Sequence, residues 1–252
     1  MQFVPSPLNV LPMVLVADVG NTRVKLAVFK GDSLLANEAI SPANTSEVLQ
    51  KIFSLHPEID AMVTASVGKE VLFSNIPSHV KQFQVSRDWR FPFQNQYRTP
   101  QTLGIDRQVL AAGAVLLYPN TARLIIDAGT CVTFDVVNQD NQYLGGAIAP
   151  GLQMRYRAMH EFTAGLPLLR PDWPANQIGD STEAAMHSGA ACGLLAEVRE
   201  YIAAVAELHP NFITILTGGD TDFLAARLKN SIFANSNFLL ESLNALYQYN
   251  LE

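Results

Sequence analysis

Three groups of residues have the types and spacing for chemistry on phosphate. Asp18 ends an apolar run, Met13 to Ala17, and Gly20, Asn21 and Thr22 follow before a second run, Val24 to Phe29, begins. This reads as two antiparallel strands joined by a tight turn. A glycine in such a turn lets backbone N–H groups and the Asn21 and Thr22 side chains come close to an anion. Asp18 could hold Mg2+ or its waters, since Mg2+ usually takes one or two carboxylates plus phosphate oxygens. Lys25 could neutralise a phosphate as a point charge. Taken alone, the stretch also fits a plain hairpin with a solvated turn. A second copy adds weight: in RLIIDAGTCVTFD, 123 to 135, an apolar run ends in Asp127, followed by Gly129, Thr130 and a β-branched run with Thr133. Two such turns are best explained by two similar halves closing on one ligand. The third group is Asp106 and Arg107. An acid at the head of a helix is favourable in any protein. Beside two phosphate turns it is also a candidate base, taking a proton from a hydroxyl as that oxygen attacks phosphorus. The planar fork of Arg107 suits a substrate carboxylate.

The elements that must carry these groups can be read from periodicity. Ser33 to Ile40 continues the first hairpin as a third strand, Asn44 to Leu55 is a helix, and Ala61 to Val67 and Phe83 to Ser86 are further strands. Leu103 to Tyr118 is the clearest helix, with apolar residues at 105, 109, 110, 112, 116 and 117 tracing one face. Leu124 to Asp127, Val132 to Val137 and Tyr143 to Ala149 repeat the three-strand scheme, and a helix follows over 152–160. Gly179 to Ala206 is largely helical, with Ala185, Gly189 and Gly193 making one nearly flat face for close packing or a subunit interface. Phe212 to Leu216 is a final buried strand, leading through Gly218, Gly219 and Asp220 into a helix from Thr221. The aromatic and proline-rich stretch WRFPFQNQYRTP, 89 to 100, reads as a surface loop with aromatic anchors.

Four blocks in this order carry a resemblance: DVGNTRVK at 18–25, YRTPQTLGIDR at 97–107, DAGTCVTFD at 127–135 and GGAIAPG at 145–151. IGDSTEAAMHSG at 178–189 and TGGD at 217–220 are weaker matches. In these blocks the chain resembles the type III pantothenate kinases of the acetate kinase/sugar kinase/Hsp70/actin superfamily. The resemblance implies an α/β protein of two actin-like (ribonuclease H-like) domains, 1–120 and 121–252, each a mixed five-stranded sheet with flanking helices. It implies ATP-dependent phosphorylation of pantothenate to 4'-phosphopantothenate, the first step of coenzyme A synthesis, with Mg2+ accompanying ATP and a monovalent cation, K+ or NH4+, at Asp127. ATP would lie against Asp18, Val19, Gly20, Asn21, Thr22, Arg23, Val24, Lys25 and Thr130. Pantothenate would meet Tyr97, Gly104, Ile105, Asp106, Arg107 and Thr182, with Asp106 as general base. A homodimer is implied as well. Cys131 stands where the family usually has alanine, a nearly isosteric change from which no functional difference is expected. Rival readings within the superfamily are a sugar kinase or a polyphosphate phosphatase, for which the block from Tyr97 to Arg107 would have no purpose. A non-enzymatic ATP-binding regulator is the other rival, and an intact Asp106 argues against it.

Composition narrows the field. A net charge of −6 argues against nucleic-acid binding, which needs a basic face. Two cysteines make no disulfide framework and fit a reducing cytoplasm. No apolar run approaches the roughly 20 residues of a transmembrane helix, so no membrane partner is expected. Residues 1–12 carry no positive charge, unlike a signal peptide, and read as a loose extension. Neither GxxxxGK[ST] nor GxGxxG occurs, which removes the P-loop and Rossmann readings.

Overall fold

The structure, a computed structural model, describes residues 12–20, 23–66, 73–228 and 232–251. Packing divides the chain into two units that are discontinuous in sequence. One comprises Met1–Arg90, Gly104–Asp106 and Leu240–Glu252, the other Phe91–Leu103 and Arg107–Leu239.

In the first unit, strands β1 (Met13–Val19), β2 (Val24–Lys30) and β3 (Ser33–Ile40) form an antiparallel meander. After helix α1 (Thr45–Leu55) the chain returns as β4 (Ile59–Ser66), parallel to β1, and β5 (Lys81–Gln84) adds a parallel edge. The sheet order is β3-β2-β1-β4-β5. β1 is buried from Val14 to Val19, as expected for a strand flanked on both sides and covered on both faces. β3 is exposed except at Ile40, which suits its place at an edge. Thr45, Leu49 and Phe53, spaced four apart, face α1 inward, and Leu49 and Phe53 join Leu15, Leu26 and Met62 in one core.

The second unit starts with the two-residue strand β6 (Gln94–Asn95) and helix α2 (Ile105–Leu117), whose first two residues are grouped with the first unit. Strands β7 (Ala122–Ala128), β8 (Cys131–Val137) and β9 (Gln142–Pro150) repeat the antiparallel meander. Helices α3 (Leu152–Glu161) and α4 (Thr182–His187) follow. A π-helical turn, Ser188–Cys192, joins α4 to α5 (Gly193–Leu208). Strand β10 (Phe212–Thr217) pairs parallel with β7 and is followed by α6 (Thr221–Ala225) and the two-residue strand β11 (Phe233–Ala234). The order β11-β10-β7-β8-β9-β6 contains the arrangement of the first sheet: a meander with a returning parallel strand beside its first member. The two-sheet α/β expectation therefore holds, with one difference in detail. The second sheet has six strands, because two-residue edge strands are too short to show alternation in sequence.

One face of the second sheet, with Leu124, Ile126 and Phe134, packs on Tyr156, Leu194 and Val198 of the helices. The other face carries buried polar groups, among them Arg123, Thr133 and Asp135. The last helix, α7 (Phe238–Leu251), was not anticipated. From it Asn244 and Gln248 donate side-chain hydrogen bonds to the Gly31 carbonyl at 2.9 and 3.0 Å. Gly31, at φ 57°, forms the turn between β2 and β3.

Candidate active site

Asp18 faces Lys25 across the β1–β2 ladder, and Val19 faces Val24. Val19 and Val24 are core residues, so only their backbone is available to a ligand. Arg23 is exposed. The Gly20 N–H donates to the Arg23 carbonyl at 3.1 Å, closing the turn and committing one amide expected to face phosphate. Asn21 and Thr22 lie outside the described residues. Asp18 is buried, and burial pushes its carboxyl up to about 6; Lys25 counteracts this and Asp106 adds to it. A carboxylate held in so dry a place, with a second acid near enough to be felt, fits a cation. The requirement of Mg2+ for only one or two carboxylates is met here. Asp106 lies half-buried in the first turn of α2, preceded by Gly104 and Ile105.

In the second unit Asp127 sits near the end of β7, opposite Thr133 on β8 and Thr217 on β10. The Oγ1 of Thr217 is buried without a hydrogen-bond partner, while the Thr133 hydroxyl is near enough to the Asp135 carboxyl to stabilise its charge. A carboxylate with two threonines opposite it on the neighbouring strands is an oxygen donor set suited to a hard cation. The turn after Asp127 is closed by Gly129 N–H donating to the Cys131 carbonyl at 2.9 Å. Thr130 is exposed, and its carbonyl accepts from Gly151 N–H at 3.1 Å. A Cβ on Gly218, at φ 99°, would lie 2.3 Å from the Ala128 carbonyl and 2.5 Å from Asp127 Oδ1. Bare backbone is thus required where the TGGD turn abuts the acidic one. The Asp220 N–H donates to that same Ala128 carbonyl at 2.9 Å, and burial raises the Asp220 carboxyl.

The substrate block brought a surprise. Arg107 is not solvated: it is 5% exposed, and its Nε donates to Asp135 Oδ1 at 2.9 Å while Nη2 lies 2.7 Å from the same oxygen. Tyr143 donates its hydroxyl to that oxygen at 2.5 Å. Burial works against the charge on Arg107, but Asp135 outweighs it and holds the guanidinium above its ordinary value. Burial likewise pushes the Asp135 carboxyl up, with Arg107 and Tyr143 opposing. Tyr97 completes the group, its ring centroid 5.8 Å from Arg107 Cζ and 6.1 Å from the Tyr143 ring. The aromatic stretch before it also anchors here, Phe93 lying 5.8 Å from Tyr143.

Thr182 stands exposed at the start of α4. Ser181 is the residue that caps this helix, accepting from the Ala184 N–H at 3.2 Å, so the Thr182 hydroxyl is not needed there. A concavity of about 750 Å³ lined by Ile178, Ser188, Cys192 and Gly193 contains none of the predicted site residues; it follows the small-residue helix face. Asp135, Tyr143 and Thr217 were given no site role by the sequence, although an acid in the apolar strand VTFDVV was a usable signal, since a buried charge must be paired.

A family model for type III pantothenate kinase matches residues 14–204. The chain is 52% identical over 239 residues to the type III pantothenate kinase of Flavobacterium psychrophilum, covering 94% of this chain and 99% of that one. It is 50% identical over 243 residues to the enzyme of the same name from Flavobacterium johnsoniae, covering 95% and 99%. Among solved structures, a protein from Campylobacter jejuni provisionally described as a Baf family transcriptional activator matches with TM-score 0.60 at 17% identity, covering 94% of this chain and 98% of that one. A provisionally described N-acetylmannosamine kinase from Listeria monocytogenes matches with TM-score 0.51 at 12% identity, covering 94% and 99%. At such identities these two speak for the actin-like fold alone.

Proposed function

The chain belongs to the type III pantothenate kinase family, and on that premise we propose how its residues carry out the ATP-dependent phosphorylation of pantothenate. The product is 4'-phosphopantothenate, at the entry to coenzyme A synthesis. The observation that supports the assignment of roles is the placement, in one unit, of a buried Asp18 near the end of β1 and of Asp106 in the first turn of α2.

The turn from Asp18 to Lys25 and Thr130 hold the phosphates of ATP. Asp18 would hold Mg2+ or its waters, and the ion would supply neutralisation of phosphate charge. Asp106 accepts the proton of the pantothenate hydroxyl as its oxygen attacks the γ-phosphorus and ADP departs. Gly104 and Ile105 line the acceptor with backbone, Tyr97 and Arg107 hold it by ring and charge, and Thr182 adds a hydroxyl. Most of the rate comes from positioning, as is usual for phosphoryl transfer. Asp127, with Thr133 and Thr217 opposite it on the neighbouring strands, would hold K+ or NH4+.

Each of the two units carries one acid–glycine turn, at Asp18 and at Asp127; the units interleave in sequence rather than dividing at residue 120. The small-residue face of α4 and α5 and the exposed Ile178 (88% exposed) support a homodimer through that surface. Among the described residues no helix is long and apolar enough to cross a membrane, and the two cysteines are unpaired, in keeping with a cytoplasmic enzyme. Incubation with MgATP and pantothenate, with and without K+, should yield a product heavier by one phosphoryl group. ATP consumption with sugars but not with pantothenate would overturn the assignment.

A further inference from the structure

A guanidinium taken out of water is placed by whatever group neutralises it. For Arg107 that group is Asp135, wholly buried on β8 between β7 and β9. Asp135 Oδ1 gathers Arg107 Nε, Arg107 Nη2 and the Tyr143 hydroxyl. The pairing takes up the Nε–Nη2 edge: Nη2 lies 2.7 Å from Asp135 Oδ1 and is shielded from solvent, while Asp135 Oδ2 has no hydrogen-bond partner. One edge of the fork is therefore pinned, which leaves Nη1 as the donor not engaged by Asp135. Gly145, at φ 110°, backs the arrangement; a Cβ there would lie 3.4 Å from the Tyr97 ring, the ring that stacks near the guanidinium.

We propose that Asp135, oriented by Tyr143, is a positioning residue that pins the Nε–Nη2 edge of Arg107 and so turns the opposite end of the guanidinium, Nη1, toward the acceptor's carboxylate, setting the enzyme's preference for a carboxylated acceptor. The proposal rests on the reading that Arg107 holds pantothenate. Asp135 touches neither the acceptor nor the reacting atoms; it fixes the plane in which the guanidinium offers its donors, so that little side-chain freedom is lost when the acceptor binds.

The test compares kcat/KM for pantothenate with that for its analogue whose carboxylate is reduced to a primary alcohol, in wild type, Asp135→Asn, Tyr143→Phe and Arg107→Gln. Asp135→Asn should lower the pantothenate-to-alcohol ratio by about tenfold or more, the scale of one charged hydrogen bond. Tyr143→Phe should lower it less, and both effects should sit in the KM for pantothenate with the KM for ATP kept. A role in folding alone would depress both acceptors equally; an unchanged ratio in these variants overturns the proposal. Should Asp135→Asn fail to fold, Tyr143→Phe, which deletes a single hydroxyl, decides. Arg107→Gln separates the levels: an unchanged ratio there means Arg107 does not read the carboxylate, so the parent reading fails. A collapsed ratio there with normal ratios in the other two sinks this inference only.

Discussion

Asp18→Asn should make the free protein more stable relative to wild type as pH rises, while removing its activity. Burial raises the Asp18 carboxyl from 3.8 to about 6. In the unfolded chain the group returns to its ordinary value, so between those two values the native state binds the extra proton. Protonated Asp18 therefore favours the native state at low pH, and that advantage is lost as pH rises through about 6. A raised carboxyl of this kind costs about 3 kcal/mol of stability at neutral pH, of which a little under half develops between pH 5 and 8. Asparagine has the same shape and does not titrate. The constant cost of burying its amide cancels when the two proteins are compared at several pH values. Equilibrium urea unfolding of both, without nucleotide, at pH 5, 6, 7 and 8 should show the variant gaining on wild type by that amount. MgATP should then protect wild type against unfolding and leave the variant unprotected. Parallel stability curves, or a wild type that gains on the variant as pH rises, would refute the claim that burial dominates at Asp18.

Asp106→Asn should retain ATP binding and lose about 10²- to 10⁴-fold in turnover, the usual contribution of a general base; near-normal kcat in a coupled assay removes Asp106 from the chemistry. Gly218→Ala places a methyl against the Ala128 carbonyl and Asp127 in a left-handed backbone, so a loss of at least about 1–3 kcal/mol is expected. An unchanged melting curve would mean the turn yields freely. Exchanging K+ for choline at constant ionic strength should depress turnover, and equal rates in the two salts would take the monovalent ion away from Asp127. Sedimentation at micromolar concentration should give the mass of two chains, and a single-chain mass would leave the α4–α5 face without the role assigned to it.

The repeated Asp-x-Gly turns, the two meanders and the helix carrying Asp106 and Arg107 were legible because they rest on local rules. Alternation and apolar runs mark strands, glycine marks turns, and a 3.6-residue period marks a helix. The helix α7 was missed although FLLESLNALYQYNL carries a helical apolar pattern, and its role in bonding to Gly31 depends on residues more than two hundred positions away in sequence. The edge strands β6 and β11 were not legible, since two residues carry no period.

For the candidate site, sequence alone named side chains whose types suit the proposed chemistry: Asp18, Asp106, Arg107 and Asp127. Tertiary structure decided their condition. Burial, which no local pattern fixes, turned Asp18 into a group that titrates near 6. The β8 strand brought Asp135 under α2, so that Arg107, expected to be open to substrate, is already held on one edge. Residue type sets what a group can donate or accept; its charge, orientation and remaining capacity depend on neighbours distant in the chain and on how much water they exclude.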